Sequence, residues 1–227
     1  MLNILLTVLC TILAYLSGSI SASILISKWF FKGDVRNYGS HNAGATNMAR
    51  VYGLGGGLAV LTGDFLKAVI AMGVPWLLGV LIPEFTYAEL AYCLAGAGCF
   101  LGHAFPVFFK FKGGKGVTVG AAIALMTDWR IFLIIVAVFV LVFIISHIVS
   151  ISSISAAAAF IVAAAFFFAF KVGDFSVYRL VLAAFAGVGV IFLHRSNIGR
   201  LIRGEEKKFT YKKREKKSEE NNENKEV

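Results

Sequence analysis

Apolar and polar residues alternate along this chain in long blocks. Seven apolar stretches can be read: Ile4–Phe31, Gly53–Ile82, Tyr87–Phe109, Val117–Thr127, Ile131–Val149, Ile154–Phe170 and Val177–Leu193. A helix that crosses a bilayer needs about 20 predominantly apolar residues. Most of the seven have that length, while Val117–Thr127 has only 11. Pro106 ends or bends the third stretch, because a proline removes a helical donor and clashes with the preceding turn. The elements predicted are membrane-spanning helices, and the fold class is all-α and polytopic.

Composition agrees with this reading. Of 227 residues, 58% are hydrophobic, and the mean hydropathy is +0.79. A soluble globule of this size is far less apolar. The first stretch lacks a basic leader and is too long for the core of a secretory signal, so it is read as a span. Cys10, Cys93 and Cys99 all lie in apolar stretches and read as small packing residues, without disulfide or metal spacing. No internal repeat is visible.

Charge gives the expected orientation and keeps the short stretch as a crossing. Of the 22 Lys and Arg, 18 lie in three places: Lys28–Arg50, Lys110–Lys115, and Arg195 onward. If all seven stretches cross, these places share one face, which the positive-inside rule makes cytoplasmic. The N-terminus is then outside and the C-terminus cytoplasmic. Leaving out Val117–Thr127 as a span would put Lys110–Lys115 opposite the basic tail. The chain divides into a membrane domain, 1–204, and a charged tail, 205–227, expected to be flexible and close to anionic lipid. The tail alternates in sign, and no nucleic-acid partner is expected.

The polar segments on that face carry the candidate chemistry. Gly39–Arg50 (GSHNAGATNMAR) is rich in small residues that allow a ligand close approach. Ser40, Asn42, Thr46 and Asn47 add hydrogen-bonding groups, and Arg50 a planar fork suited to phosphate. In Gly102–Gly116 (GHAFPVFFKFKGGKG), Gly113 and Gly114 sit between Lys112 and Lys115. Consecutive glycine amides can form a concavity for an anion, and the following helix start adds positive partial charge. The spacing is not that of a nucleotide-binding P-loop. In His194–Glu206 (HRSNIGRLIRGEE), His194, Asn197 and Arg200 recur every third residue and share one side if the last helix continues. Ser150, Ser152, Ser153 and Ser155 form a third turn whose hydroxyls could complete an anion site. Asp64 and Lys67 lie one helical turn apart inside the second stretch. Buried charges there are functional suspects, although a structural pair bracing a neighbouring loop is the simpler reading. No metal site is expected, since no carboxylates or histidines stand at ligand spacing.

With these segments in place, the chain resembles the bacterial membrane acyltransferases that use acyl phosphate to acylate glycerol-3-phosphate. The resemblance covers nearly the whole chain and rests on the three motifs above in their order. A family Asp-x-x-Lys-Gly element is matched by Asp64 and Lys67, with Ala68 in place of its glycine. After GGKG-V, Thr118-Val119 stands where the family usually has Ala-Thr, and Glu206 is aligned with the terminal carboxylate of the third motif.

The resemblance implies a multi-pass protein of the bacterial plasma membrane, with its site on the cytoplasmic side and no cofactor. It implies acyl transfer from acyl phosphate to the 1-hydroxyl of glycerol-3-phosphate, giving lysophosphatidic acid and phosphate. It also implies roles residue by residue. Ser40, Asn42, Arg50, His194 and Asn197 form the glycerol-3-phosphate set. Lys112, Lys115, Ser150 and Ser153 form the acyl-phosphate set, with Lys115 able to serve both and Gly113 and Gly114 lending the loop its shape. Lys115, His194 and Asn197 are the candidates for the chemistry itself. Asn47, Asp64, Lys67, His103, Arg200 and Glu206 support the loops. The proton acceptor is left open between His194 and a substrate phosphate oxygen.

The rival classes on sequence are a transporter and a non-catalytic membrane anchor or assembly factor. The latter would not need four kinds of phosphate-binding side chain in three separate segments. The acyl-CoA-dependent acyltransferases are disfavoured by a missing motif. A small-anion or phosphate-ester transporter would also use seven spans and the Asp64–Lys67 pair, but transporter sites lie near the midplane between related repeats. An acyltransferase of the acyl-CoA type needs a His-x-x-x-x-Asp dyad. Here Thr46, Phe108, Ser152 and Gly199 occupy the positions five residues after the four histidines.

Overall fold

The computed structural model describes residues 1–209. Among them the secondary structure is entirely helical. The helices are α1 (Leu2–Gly18), α2 (Ala22–Phe31), α3 (Ala45–Tyr52), α4 (Leu54–Leu81), α5 (Ala88–Ala104), α6 (Val117–Thr127), α7 (Trp129–Ser146), α8 (Val149–Ala169), α9 (Val177–Leu193) and α10 (Arg195–Ile202). Short 3-10 turns at Val35–Asn37 and Val107–Phe109 interrupt the polar loops.

Five segments are long and apolar enough to span a bilayer: Leu2–Phe31, Leu54–Leu81, Ala88–Phe109, Trp129–Ser146 and Val149–Ala169. The α9–α10 pair, bent by 54°, makes a sixth. Many of their large apolar side chains point outward, Ile145 being 74% exposed. Such a surface is stable only against lipid.

The short α6 behaves unlike the others. Val119, Gly120, Ala122, Ile123 and Ala124 are all buried, because α4, α5, α7, α8 and α9 surround it. At about 1.5 Å per residue it is roughly 16 Å long, half a hydrocarbon thickness. Its far end is tolerated because its carbonyls find donors inside the protein. Tyr92 Oη donates to the Met126 carbonyl and Arg179 Nη1 to the Thr127 carbonyl at 3.2 Å. Arg179 also pairs with Glu89 at 3.3 Å. A helix end at membrane depth is admissible when protein satisfies it.

Small residues set the closest packing. α1 and α5 touch along Gly18, Gly98 and Gly102; a Cβ on Gly102 would lie 2.1 Å from the Tyr15 carbonyl oxygen. This is the small-residue contact by which membrane helices approach. The break between α1 and α2 is held by α4. Lys67 Nζ donates to the Ile20 carbonyl at 2.9 Å and to His103 Nδ1 at 3.2 Å, and it lies 2.8 Å from Asp64 Oδ1. The contact with Asp64 is ionic, not an aligned hydrogen bond. Lys67 and Asp64 thus tie three helices together.

Several sequence expectations shift in detail. Gly39–Arg50 is not all loop, since α3 begins at Ala45. The serine turn lies elsewhere: Ser150, Ser152, Ser153 and Ser155 occupy the first turns of α8, and the reversal is made by His147, with φ +57°, and Ile148. The last helix does not run on through Arg200; it breaks at His194 and restarts as α10. Glu205–Phe209, expected as tail, fold back against the bundle. Phe209 N–H donates to the His147 carbonyl at 2.8 Å, and its ring meets Phe143 with centroids 6.2 Å apart. The remainder of the expected tail, 210–227, lies outside the described residues.

Candidate active site

A cavity of about 490 Å³ opens where the polar segments meet at one end of the bundle. The first loop and α3 contribute Ser40, Asn42, Asn47 and Arg50. Lys115 and Thr118 come from the start of α6, and Ser150 and Ser153 from the start of α8. His194, Asn197, Arg200 and Glu206 come from the α9–α10 bend and the irregular segment after it, while Asp64 and His103 close the inner wall. Lys67 stands behind that wall.

Asn47 shapes the first loop. It is 1% exposed. Its Oδ1 accepts from the Ser40 N–H at 2.8 Å, and its Nδ2 donates to the carbonyls of Val35, Tyr38 and Asn42 at 3.1, 3.0 and 3.1 Å. One side chain thereby replaces the backbone pairing that a loop lacks. Gly39 is required beside it: φ is +62°, and a Cβ would lie 2.3 Å from Asn47 Oδ1. Arg50 leaves the last turn of α3 half-buried and, among the described residues, makes no side-chain hydrogen bond or ion pair, so its guanidinium is free for an anion.

The glycine pair works differently from the expectation. Gly113 N–H donates to the Ala104 carbonyl at 3.2 Å, and Gly114 N–H to the His103 carbonyl at 3.1 Å. Both amides are taken and cannot cradle a phosphate. The glycines are there for contact: a Cβ on Gly113 would lie 2.0 Å from the His103 oxygen, and one on Gly114 2.3 Å from His103 Nε2. Lys112 is exposed and outside the cavity; its carbonyl accepts from Arg36 Nη1 at 3.3 Å. Arg36, paired with Asp34 at 2.8 Å, also donates to the Phe109 carbonyl at 3.2 Å. It braces the two loops together. The segment's outcome is the placement of Lys115.

Lys115 sits at the centre of a polar chain. Its Nζ donates to Asn197 Oδ1, and Asn197 Nδ2 donates to Glu206 Oε1 at 2.6 Å. Ser150 Oγ donates to the same oxygen at 2.7 Å, and Arg200 Nε to Oε2 at 2.6 Å. Burial works against the Glu206 charge, but the bonds from Ser150, Asn197 and Arg200 outweigh it and hold its carboxyl below the usual range. Burial lowers Lys115 to about 8, with help from the Arg200 and Arg50 charges and against the pull of Glu206. His194 is 3% exposed, and its Nδ1 lies 2.8 Å from the Val190 carbonyl. Nδ1 therefore carries the hydrogen, and in the neutral ring Nε2 is the free acceptor. The Ser150 and Ser153 hydroxyl protons go to Glu206 and to the Val149 carbonyl, leaving both serines as acceptors in this arrangement.

The cavity continues into an apolar slot of about 260 Å³ among α4, α6, α7, α8 and α9. Leu61, Val117, Thr118, Phe139 and Ser153 line both, so they form the neck. A compact anion fits one side of the neck and a hydrocarbon chain the other.

Sequence reasoning missed Lys207, Glu205 and Thr118, which also line the cavity. Lys207 falls within the segment expected as charged tail, 205–227. Its position directly after Glu206 was the available signal.

Residues 8–204 match the model of the glycerol-3-phosphate acyltransferase family. Relatives include the glycerol-3-phosphate acyltransferases of Thermoanaerobacter pseudethanolicus, 38% identical over 90% of this chain and 96% of that one, and of Bacillus subtilis, 36% identical over 89% and 97%. The fold is also similar to the crystal structure of PlsY, an integral membrane glycerol 3-phosphate acyltransferase, in its glycerol 3-phosphate form. There the TM-score is 0.78 and the identity 35%, covering 90% of this chain and 96% of that one. The form of the same protein with lysophosphatidic acid gives a TM-score of 0.75. The chain belongs to the glycerol-3-phosphate acyltransferase family and is an integral membrane acyltransferase.

Proposed function

We propose that this protein transfers a fatty acyl group from acyl phosphate to the 1-hydroxyl of sn-glycerol-3-phosphate, at the cytoplasmic face of a bacterial plasma membrane. The observation that carries the reading is the shared neck between the cationic cavity and the apolar slot. It supports a donor whose phosphate and chain lie on opposite sides of one reacting carbonyl. With α6 counted as a seventh, short crossing, the three basic segments share the cytoplasmic side; their meeting in one cavity supports that topology.

In this reading Arg50, with Ser40 and Asn42 beside it, holds the phosphate of glycerol-3-phosphate. Lys115 stands on the cavity side of the neck, two residues before Val117 and fixed by Asn197, and meets charge that builds on the carbonyl and on the departing phosphate. Such a group stabilises the transition state more than the ground state. The acceptor hydroxyl oxygen bonds to the acyl carbon, and the bond from that carbon to the phosphate oxygen breaks. The hydroxyl proton passes to His194 Nε2 or to a phosphate oxygen. Because phosphate leaves readily, positioning and charge suffice without an acyl-enzyme. Glu206 and Arg200 keep Asn197 and Lys115 in register.

The experiment offers purified protein labelled glycerol-3-phosphate with acyl phosphate or acyl-CoA in turn. Labelled lysophosphatidic acid is expected from acyl phosphate, with acyl-CoA giving little or none. Robust turnover of acyl-CoA would overturn the choice of donor.

A further inference from the structure

The lining of the apolar slot stops at a common level of the bundle. Following each lining helix away from the neck, α4 runs from Leu61 to Phe65, α7 from Phe139 to Phe132, and α8 from Ser153 to Phe160. On all three the last lining residue is a phenylalanine. The other two helices end at Ala121 and Ala186, too small to close the space.

The phenylalanines act as a group. Phe65 and Phe132 meet edge to face, with centroids 6.1 Å apart and planes at 62°, the arrangement aromatic pairs prefer. They bridge α4 and α7, which otherwise face each other across α6. Phe160 is 2% exposed and fixed in the core. From Ser153 to Phe160 is seven residues of helix, about 10 Å at 1.5 Å per residue. The slot is therefore shorter than a membrane-length acyl chain, so a chain that enters it reaches the far end before its own terminus.

We infer that Phe65, Phe132 and Phe160 form the floor of the acyl-chain slot and set which chain lengths the enzyme prefers. This rests on the slot being the site of the donor's chain. The competing route is sideways. Leu61 and Val136 line the slot and are 45% and 38% exposed, so a chain could instead bend out between α4 and α7 above the floor.

The two routes predict different responses to changes at the floor and midway along the slot. Shortening Phe132 lengthens the slot at this end. Enlarging Ala156, which lines the slot between Ser153 and Phe160, shortens it. A pocket distinguishes chains by about tenfold or more per methylene it gains or loses.

The test gives the full-length protein a mixture of saturated acyl phosphates of increasing length and reads the lysophosphatidic acids by mass spectrometry. Phe132→Ala is expected to raise the long-to-short ratio of kcat/KM by about tenfold. Ala156→Leu is expected to lower it by a similar factor, and the KM for glycerol-3-phosphate should hold in both. Opposite shifts in the two variants support the floor, and either shift alone does so if the other variant fails to fold. Unchanged ratios in active variants overturn it and favour the sideways exit. A parent protein with no acyl-phosphate activity would instead refute the reading of the donor.

Discussion

Lys115→Ala is expected to lower kcat/KM for the acyl donor by roughly 10²–10³, the usual loss when a preplaced group that meets transition-state charge is removed. Lys208→Ala is the matched control. It deletes one exposed charge outside the cavity, and a screened charge there should change kcat/KM by less than about twofold. Lys207 cannot serve, because it lines the cavity. The pH profile gives an independent readout. Lys115 sits near 8, so the free enzyme loses this charge as pH rises through that value, and kcat/KM should fall with it. Lys115→Arg keeps its charge and should lose the alkaline limb, even if its rate is lower. Steady-state kinetics from about pH 6.5 to 9.5 would decide it. Equal losses in Lys115→Ala and Lys208→Ala would reduce the GGKG segment to a topology signal.

Arg50→Lys is expected to raise the KM for glycerol-3-phosphate by about 10–100-fold with donor KM little changed. A guanidinium grips phosphate through two parallel bonds, and an ammonium is a point charge. A lost charged hydrogen bond costs about 1.5–3 kcal/mol, which gives that range. With Arg50 half-buried and without another partner among the described residues, no described residue compensates. Initial-rate measurements varying each substrate separate the two constants; an acceptor KM that stays put would remove Arg50 from the acceptor site.

Much of this was legible in the chain because membrane proteins write their constraints plainly. Apolar runs located the helices, and basic residues flagged three of the segments that line the cavity. Arg50, Lys115, His194 and Asn197 were readable because their types and spacing suit an anion. What the chain hides is tertiary. Nothing in KGGKG says that both glycine amides bond to the end of α5, because that depends on Gly113 and Gly114 meeting His103 across a long loop. Ser150 offers a hydroxyl to any partner, and only the fold shows Glu206 taking it. Asn47 reads as one polar residue among several, yet it holds the first loop together with four bonds. The brevity of α6 was visible, but not the donors from Tyr92 and Arg179 that make it tolerable. The break at His194 has no proline to announce it. The phenylalanine floor draws on three separate helices.

The most direct test of the central claim is the coupling of the two products. Purified protein is given acyl phosphate with and without glycerol-3-phosphate, and inorganic phosphate and lysophosphatidic acid are measured together. Acyl transfer at one neck predicts one phosphate for each lysophosphatidic acid and almost none of either when the acceptor is withheld. Phosphate released equally fast without the acceptor, or with no lysophosphatidic acid formed, would contradict it.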